Sequence, residues 1–280
     1  MFYIIYSEIK YGFFIAHPCQ QNLVGIKCTI IFDEKESIMG TELTAQSKRS
    51  EMASTAVNVF PLVYFVIYLG TLFVTQENEF MHWITLVLLP LMILMIFNRI
   101  QTGHLDLRTA LAMAGITRSG LKRGLGLAVV LGLVLSALQV VISESADEII
   151  QVITSGRVLY LMPLAFILMV LTAAFTEEFF FRGVLQSRLH ALINSKIVVL
   201  LISAFIFGIY HLPYAYLNPN WPSAGDFQAA LTSALFQGGM GGLILGWLYI
   251  KTDNNLIACV VCHALINSLP VTTMIKFGAQ

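Results

Sequence analysis

From residue 51 onward the chain is a series of long apolar runs separated by short charged segments. A helix that crosses a bilayer needs roughly 20 mostly apolar residues. No charge falls between Glu51 and Glu77, Glu79 and Arg99, Arg123 and Glu144, Arg157 and Glu177, Lys196 and Asp226, Asp226 and Lys251, or Asp253 and Lys276. These windows predict seven membrane spans, hence an all-α, polytopic transmembrane bundle. The fifth crosses only in its first part, because Pro213, Asn218, Pro219, Pro222 and Gly225 predict a loop. The first fifty residues differ. They mix apolar and charged positions without a full span, and LVGIKCTIIF alternates weakly like a strand with no evident partner.

Composition agrees with the pattern. The 280 residues are 57% hydrophobic and 11% charged, with a mean hydropathy of +0.78, whereas soluble domains carry about 25% charged residues. Sixteen basic and sixteen acidic residues cancel, so nothing points to nucleic acid or another polyanionic partner. Cys19, Cys28, Cys259 and Cys262 are too few for a disulfide scaffold. Residues 1–52 lack the basic start and small-residue cleavage site of a signal peptide. They are expected to be a poorly defined arm, or an over-long start with Met39 or Met52 as the true initiator.

The basic residues choose an orientation. With the first span entered from inside, Lys48, Arg49, Arg99, Arg108, Arg118, Lys122, Arg123, Arg182, Arg188, Lys196 and Lys251 lie inside, and only Arg157 and Lys276 outside. Positive residues collect on the cytoplasmic face. The expectation is a multi-pass protein of the plasma membrane with a cytoplasmic N-terminus. In span six, Gly238, Gly242 and Gly246 form a stripe that lets a neighbouring helix approach, which is read as packing alone.

Charges inside a span are costly and tend to serve function. In TEEFFFRG, Glu178 and Arg182 are four residues apart and share a helical face, so they can pair. Glu177 points about 100° away, toward a different neighbour. FGIYH places Phe207 one turn before His211, and CHALIN places His263 and Asn267 on one face of span seven. The turn between spans four and five is expected at Asn194-Ser195, with Glu177 and His211 seventeen residues to either side and therefore at one depth. His263 lies twelve residues beyond Lys251, about 18 Å at 1.5 Å per residue. One shared polar pocket is feasible.

These residues resemble the CAAX-protease and bacteriocin-processing-enzyme group of intramembrane proteases. Its motifs EExxxR, FxxxH and HxxxN are matched in order by Glu177-Glu178-Phe179-Phe180-Phe181-Arg182, Phe207-Gly208-Ile209-Tyr210-His211 and His263-Ala264-Leu265-Ile266-Asn267. The resemblance spans roughly Arg157 to Pro270 and implies a catalytic membrane core at 157–270, preceded by three spans and a basic loop at 53–143. The first fifty residues have no counterpart in it. It implies endopeptidase cleavage of membrane-associated CAAX-tail or leader- and bacteriocin-type peptides by activated water. Glu177 would be the base, His211 would hold the water, His263 and Asn267 would stabilise the oxyanion, and Glu178 with Arg182 would orient the site. No cofactor is needed on that route.

Zinc on Glu177, His211 and His263 is the alternative, since three ligands and an open position make a catalytic site. HExxH is absent, and Asn267 and Arg182 suit oxyanion and carboxylate handling better. Cys259-Val260-Val261-Cys262-His263 reads literally as a haem-attachment string, but its place in an apolar span argues against that role. Intramembrane Glu, Arg and His also build transporters; EExxxR has no second copy in the first half, against a repeat-built transporter. A non-proteolytic scaffold or immunity protein stays open.

Overall fold

A computed structural model describes residues 55–75, 79–142, 145–219 and 221–275, all within one compact unit. The N-terminal arm, Met39 and Met52, and the charges Lys48, Arg49, Glu77, Glu144 and Lys276 lie outside the described residues. Among the described residues the architecture is entirely helical. Seven helices are long and apolar enough to cross a membrane: α1 (Thr55–Leu72), α2 (Phe80–Thr102), α4 (Leu121–Leu138), α6 (Val158–Leu192), α7 (Lys196–Leu217), α8 (Phe227–Lys251) and α9 (Leu256–Met274). Each overlaps a different one of the seven predicted windows. Two short helices, α3 (Leu107–Met113) and α5 (Ala146–Thr154), join α2 to α4 and α4 to α6. The protein is an integral, multi-pass membrane protein.

Two helices differ from expectation. The α6 helix does not end at its first charge but runs 35 residues, about 52 Å at 1.5 Å per residue, against a hydrocarbon core about 30 Å thick. From Thr176 to Gln186 every residue of it is buried, including Glu177, Glu178, Arg182 and Gln186. A segment buried on all sides with charges in it must satisfy those charges internally. The α7 helix continues past Pro213 to Leu217. The helical hydrogen bonding is interrupted at His211, and Pro213 enters the first turn of the new segment, where its missing N–H costs nothing. Ala215 N–H bonds back to the His211 carbonyl at 3.0 Å.

The α6–α7 hairpin turns where the sequence placed it. Ile193 leaves the helix in an extended conformation, and Ser195 caps α7 by accepting from the Val198 N–H at 3.4 Å. Residues equidistant from Asn194 meet across the hairpin: Phe181 and Phe207, thirteen residues away on either side, touch edge to face at 4.9 Å. Glu177 and His211 thus share one level.

The α9 helix is the most enclosed span, with 56% of its window buried, and it packs against α4, α5, α6 and α8. Its start is clamped. Asn255 caps α9 by accepting from Ala258 N–H at 3.2 Å, and its amide donates to the carbonyls of Thr117 at 3.0 Å and Ser119 at 2.8 Å. Leu256 N–H bonds the Gly115 carbonyl at 3.0 Å. Gly115 (φ +80°) and Gly120 (φ +64°) let this loop turn against residues 252–254, where a Cβ would stand 2.5 Å from Asn254 O and 2.3 Å from Thr252 O. The α9 helix begins at Leu256, and His263 lies about 10 Å along it from that start.

Asn255→Ala removes the cap and strands two carbonyls, so it lowers stability by about 2–4 kcal/mol. Thermal unfolding in detergent measures this; an unchanged midpoint would show that the clamp does not hold α9.

Candidate active site

The motif residues are carried by three helices that the packing brings together. On α6, Arg182 Nη1 stands 3.1 Å from Glu178 Oε1, one helical turn away, as the spacing predicts. That same oxygen accepts from His263 Nδ1 of α9 at 2.8 Å. Glu178 is 0% exposed and Arg182 2%, so two buried charges are paired with each other and anchored to an imidazole on a second helix. Sequence spacing gave the first contact and missed the second, which depends on how α9 faces α6.

His263 sits between the two carboxylates. Its Nε2 lies 3.9 Å from Glu177 Oε2, and both residues are buried, at 6% and 7% exposure. Since a carboxylate only accepts, Nδ1 carries the proton it gives to Glu178. The neutral ring then presents Nε2 as an acceptor, and only the imidazolium can donate from it.

His211 is oriented differently. Its Nδ1 donates to the carbonyl of Phe207, one turn earlier on α7, at 2.8 Å. A carbonyl cannot donate, so the neutral ring keeps its lone pair on Nε2. The ring lies against α8 at Gly238, where an added Cβ would be 2.8 Å from Nδ1 and 3.1 Å from Gly208 Cα.

Phe207 is the ring around which the charged groups are arranged. The Arg182 guanidinium lies 4.2 Å over its centroid, a cation–π contact strengthened by desolvation. His211 and His263 both meet it edge-on, at 4.8 and 6.2 Å. One face of the guanidinium is thereby covered while its edge stays available for hydrogen bonds.

The glycine stripe of α8 does more than pack. Arg182 Nη2 donates to Gly242 O at 3.4 Å, and Gln186 Nε2, one turn on, donates to Gly246 O at 3.0 Å. A Cβ at Gly242 would stand 2.8 Å from Ala204 Cα, and one at Gly246 2.9 Å from Gln186 Oε1. Three glycines four residues apart therefore seat His211, admit α7 and receive α6. Gln186 was not legible as a site neighbour; its only sequence signal was a polar residue one turn beyond Arg182.

Wide, i→i+5 hydrogen-bonded turns surround the cluster, at Val170–Ala174 and Phe179–Gln186 of α6 and Ala234–Gly238 of α8. Such π segments recur at functional sites because they shift the register of side chains within a helix. Here they flank Glu177-Glu178 and face His211. Asn267 is half-buried one turn beyond His263 on α9.

Zinc would need Glu177, His211 and His263 gathered around one point. Among the described residues no three His, Cys, Asp or Glu side chains are so placed, with Nδ1 of His211 and of His263 turned to Phe207 and Glu178. The Cys259 and Cys262 thiols are buried among Ala128, Leu245, Leu248, Tyr249 and Ala258, and Cys259 Sγ lies 3.5 Å from Leu245 O. That packing leaves no space for a porphyrin.

Two carboxylates, an arginine and two histidines thus form one buried cluster on a helical bundle. Residues 159–269, from the beginning of α6 into α9, match the family model described as type II CAAX prenyl endopeptidase Rce1-like. No curated protein and no solved structure matches the chain.

Gly238→Ala forces His211 or α7 to shift and lowers stability by about 1–3 kcal/mol. Gly239, whose added Cβ would meet nothing within 4 Å, tolerates alanine. Thermal unfolding of the two variants compares them; equal midpoints would show that His211 does not depend on this close approach.

Proposed function

We propose that the protein is an intramembrane endopeptidase that hydrolyses a peptide bond of membrane-associated substrates, with Glu177 activating the water. The observation that carries this reading is the unequal use of the adjacent carboxylates: Glu178 is tied to Arg182 and His263, while Glu177, one residue earlier, faces the outer nitrogen of His263. One carboxylate fixes the geometry and the other is placed for proton transfer, a division that general-base catalysis requires.

Glu177 takes a proton from water as its oxygen attacks the carbonyl carbon. His211 accepts a hydrogen bond from that water through Nε2, the only acceptor its tautomer offers. Negative charge develops on the carbonyl oxygen, where the Asn267 amide and an imidazolium at His263 would stabilise it. Glu177 then passes its proton to the departing amine, and the C–N bond breaks. Glu178 and Arg182 do not touch the reacting atoms; they hold His263 in place. The burial of the cluster suits a substrate that enters from the bilayer, either a prenylated C-terminal tail or a leader- or bacteriocin-type peptide.

In cells, Glu177→Gln removes the new membrane-protein termini seen with the unsubstituted protein, at equal membrane levels of both, by mass spectrometry of termini. In vitro, cleavage persists in the presence of a zinc chelator. Identical termini would contradict the protease reading and favour a scaffold. Loss of cleavage on chelation, restored by zinc alone, would replace the glutamate mechanism with a metal.

A further inference from the structure

Glu177 and Glu178 occupy one four-residue α-helical stretch, Phe175–Glu178, with a wide turn on either side. The turn before them, Val170–Ala174, takes one residue more than an α-helical turn. One residue is worth about 100° of helix rotation. That turn therefore decides which way both carboxylates point relative to the first half of α6, which packs along α9.

Three consecutive carbonyls of the turn receive side chains. Trp83 of α2 donates its indole N–H to Leu171 O at 2.7 Å. Thr176, 0% exposed and next to Glu177, donates its hydroxyl to Thr172 O at 2.7 Å and stands 3.1 Å from Ala173 O. A threonine bonding back to its own helix is common, whereas the indole reaches across from another span. Leu171 is 55% exposed, so the Trp83 bond lies on the outer surface of the bundle, where lipid offers neither group another partner. The Trp83 ring also stacks on Phe175, with 5.3 Å between centroids and 21° between planes, and Phe175 meets Phe179 at 5.9 Å. Its hydrogen bond thus falls within the wide turn and its ring on the first residue beyond it.

The helix beyond the carboxylates is fixed independently. Arg182 and Gln186 tie it to Gly242 and Gly246 of α8. With α8 holding one side and α2 the other, Glu178 is directed to Arg182 and His263, and Glu177 to the outer nitrogen of His263. If the turn closed to an ordinary α-helical one, the two halves of α6 could not keep both sets of contacts, and the carboxylates would rotate with one half.

We propose that Trp83 is a positioning residue for hydrolysis: its indole N–H keeps the wide turn of α6 in place and thereby sets the direction of Glu177. This rests on the protease reading above. Trp83 moves no proton and makes no bond to substrate; it acts through the α6 backbone.

The test is Trp83→Phe, which keeps a ring over Phe175 and removes the donor. Trp247→Phe, at an exposed position of α8, is the control for losing a tryptophan. The full chain, purified in detergent, is measured in two ways. We expect hydrogen exchange of residues 170–178 to rise about tenfold in Trp83→Phe, as for one lost hydrogen bond, and to stay unchanged in Trp247→Phe. With a fluorogenic farnesylated peptide carrying a CAAX tail, we expect kcat of Trp83→Phe to fall about 10- to 100-fold with KM little changed, as for a misdirected catalytic group. Unaltered exchange, full kcat, a raised KM alone, or a loss of activity that follows a loss of folded protein overturns the proposal and leaves Glu177 as the base. Cleavage retained by Glu177→Gln, or absent from the unsubstituted protein, removes the protease reading and the role of Trp83 in it, while exchange at 170–178 still reports whether Trp83 holds the turn.

Discussion

A single oxygen atom, Oε1 of Glu178, holds the site together. It receives Arg182 from its own helix and His263 from α9, and without it two cationic or polar groups would lie unpaired in a bundle surrounded by lipid. Removing one partner of a buried pair costs several kcal/mol, because the remaining charge has no water to turn to. The cluster is therefore both the costliest part of the bundle to assemble and the part that fixes how α6 faces α9. Its relation to Glu177 follows: with His263 fixed by one nitrogen, the other has a defined direction, and that direction is toward the second carboxylate.

Small residues and one aromatic ring make the arrangement compatible with close helix packing. Without a hydrophobic driving force between helices in lipid, association depends on close contact and internal hydrogen bonds. The α8 glycines supply both, admitting α7 by their missing side chains and receiving Arg182 and Gln186 on their carbonyls. Phe207 fills the centre, covering the guanidinium and contacting both imidazoles. Asn255 sets where α9 begins, and so where along that helix His263 enters the cluster.

The sequence made the spans legible because charge-free runs of this length have few other solutions. Contacts within one helix were equally legible: the four-residue spacing of Glu178 and Arg182 is a property of α-helical geometry. The common level of Glu177 and His211 could be read by counting from Asn194, since a hairpin of continuous helices preserves distance from its turn. What escaped was set between helices. That His263 bonds Glu178 and that Gly242 and Gly246 are acceptors both depend on helix rotation, which hydropathy does not encode. Pro213 was read as a breaker, although the first turn of a helical segment accepts proline. The start of α9 at Leu256, beyond the Lys251 charge, was equally hidden, because Asn255 sets it through contacts with another loop.

The most direct measurement of the central claim is a double-mutant cycle joining α6 to α9, with Glu178→Gln, His263→Ala and both together unfolded in the same detergent. If the shared oxygen carries the site, the two losses are coupled by about 1–3 kcal/mol, the double variant losing less than the sum. Losses that add to within about 0.5 kcal/mol would mean that Glu178 and His263 act independently, and that something else brings the two carboxylates and the imidazole together.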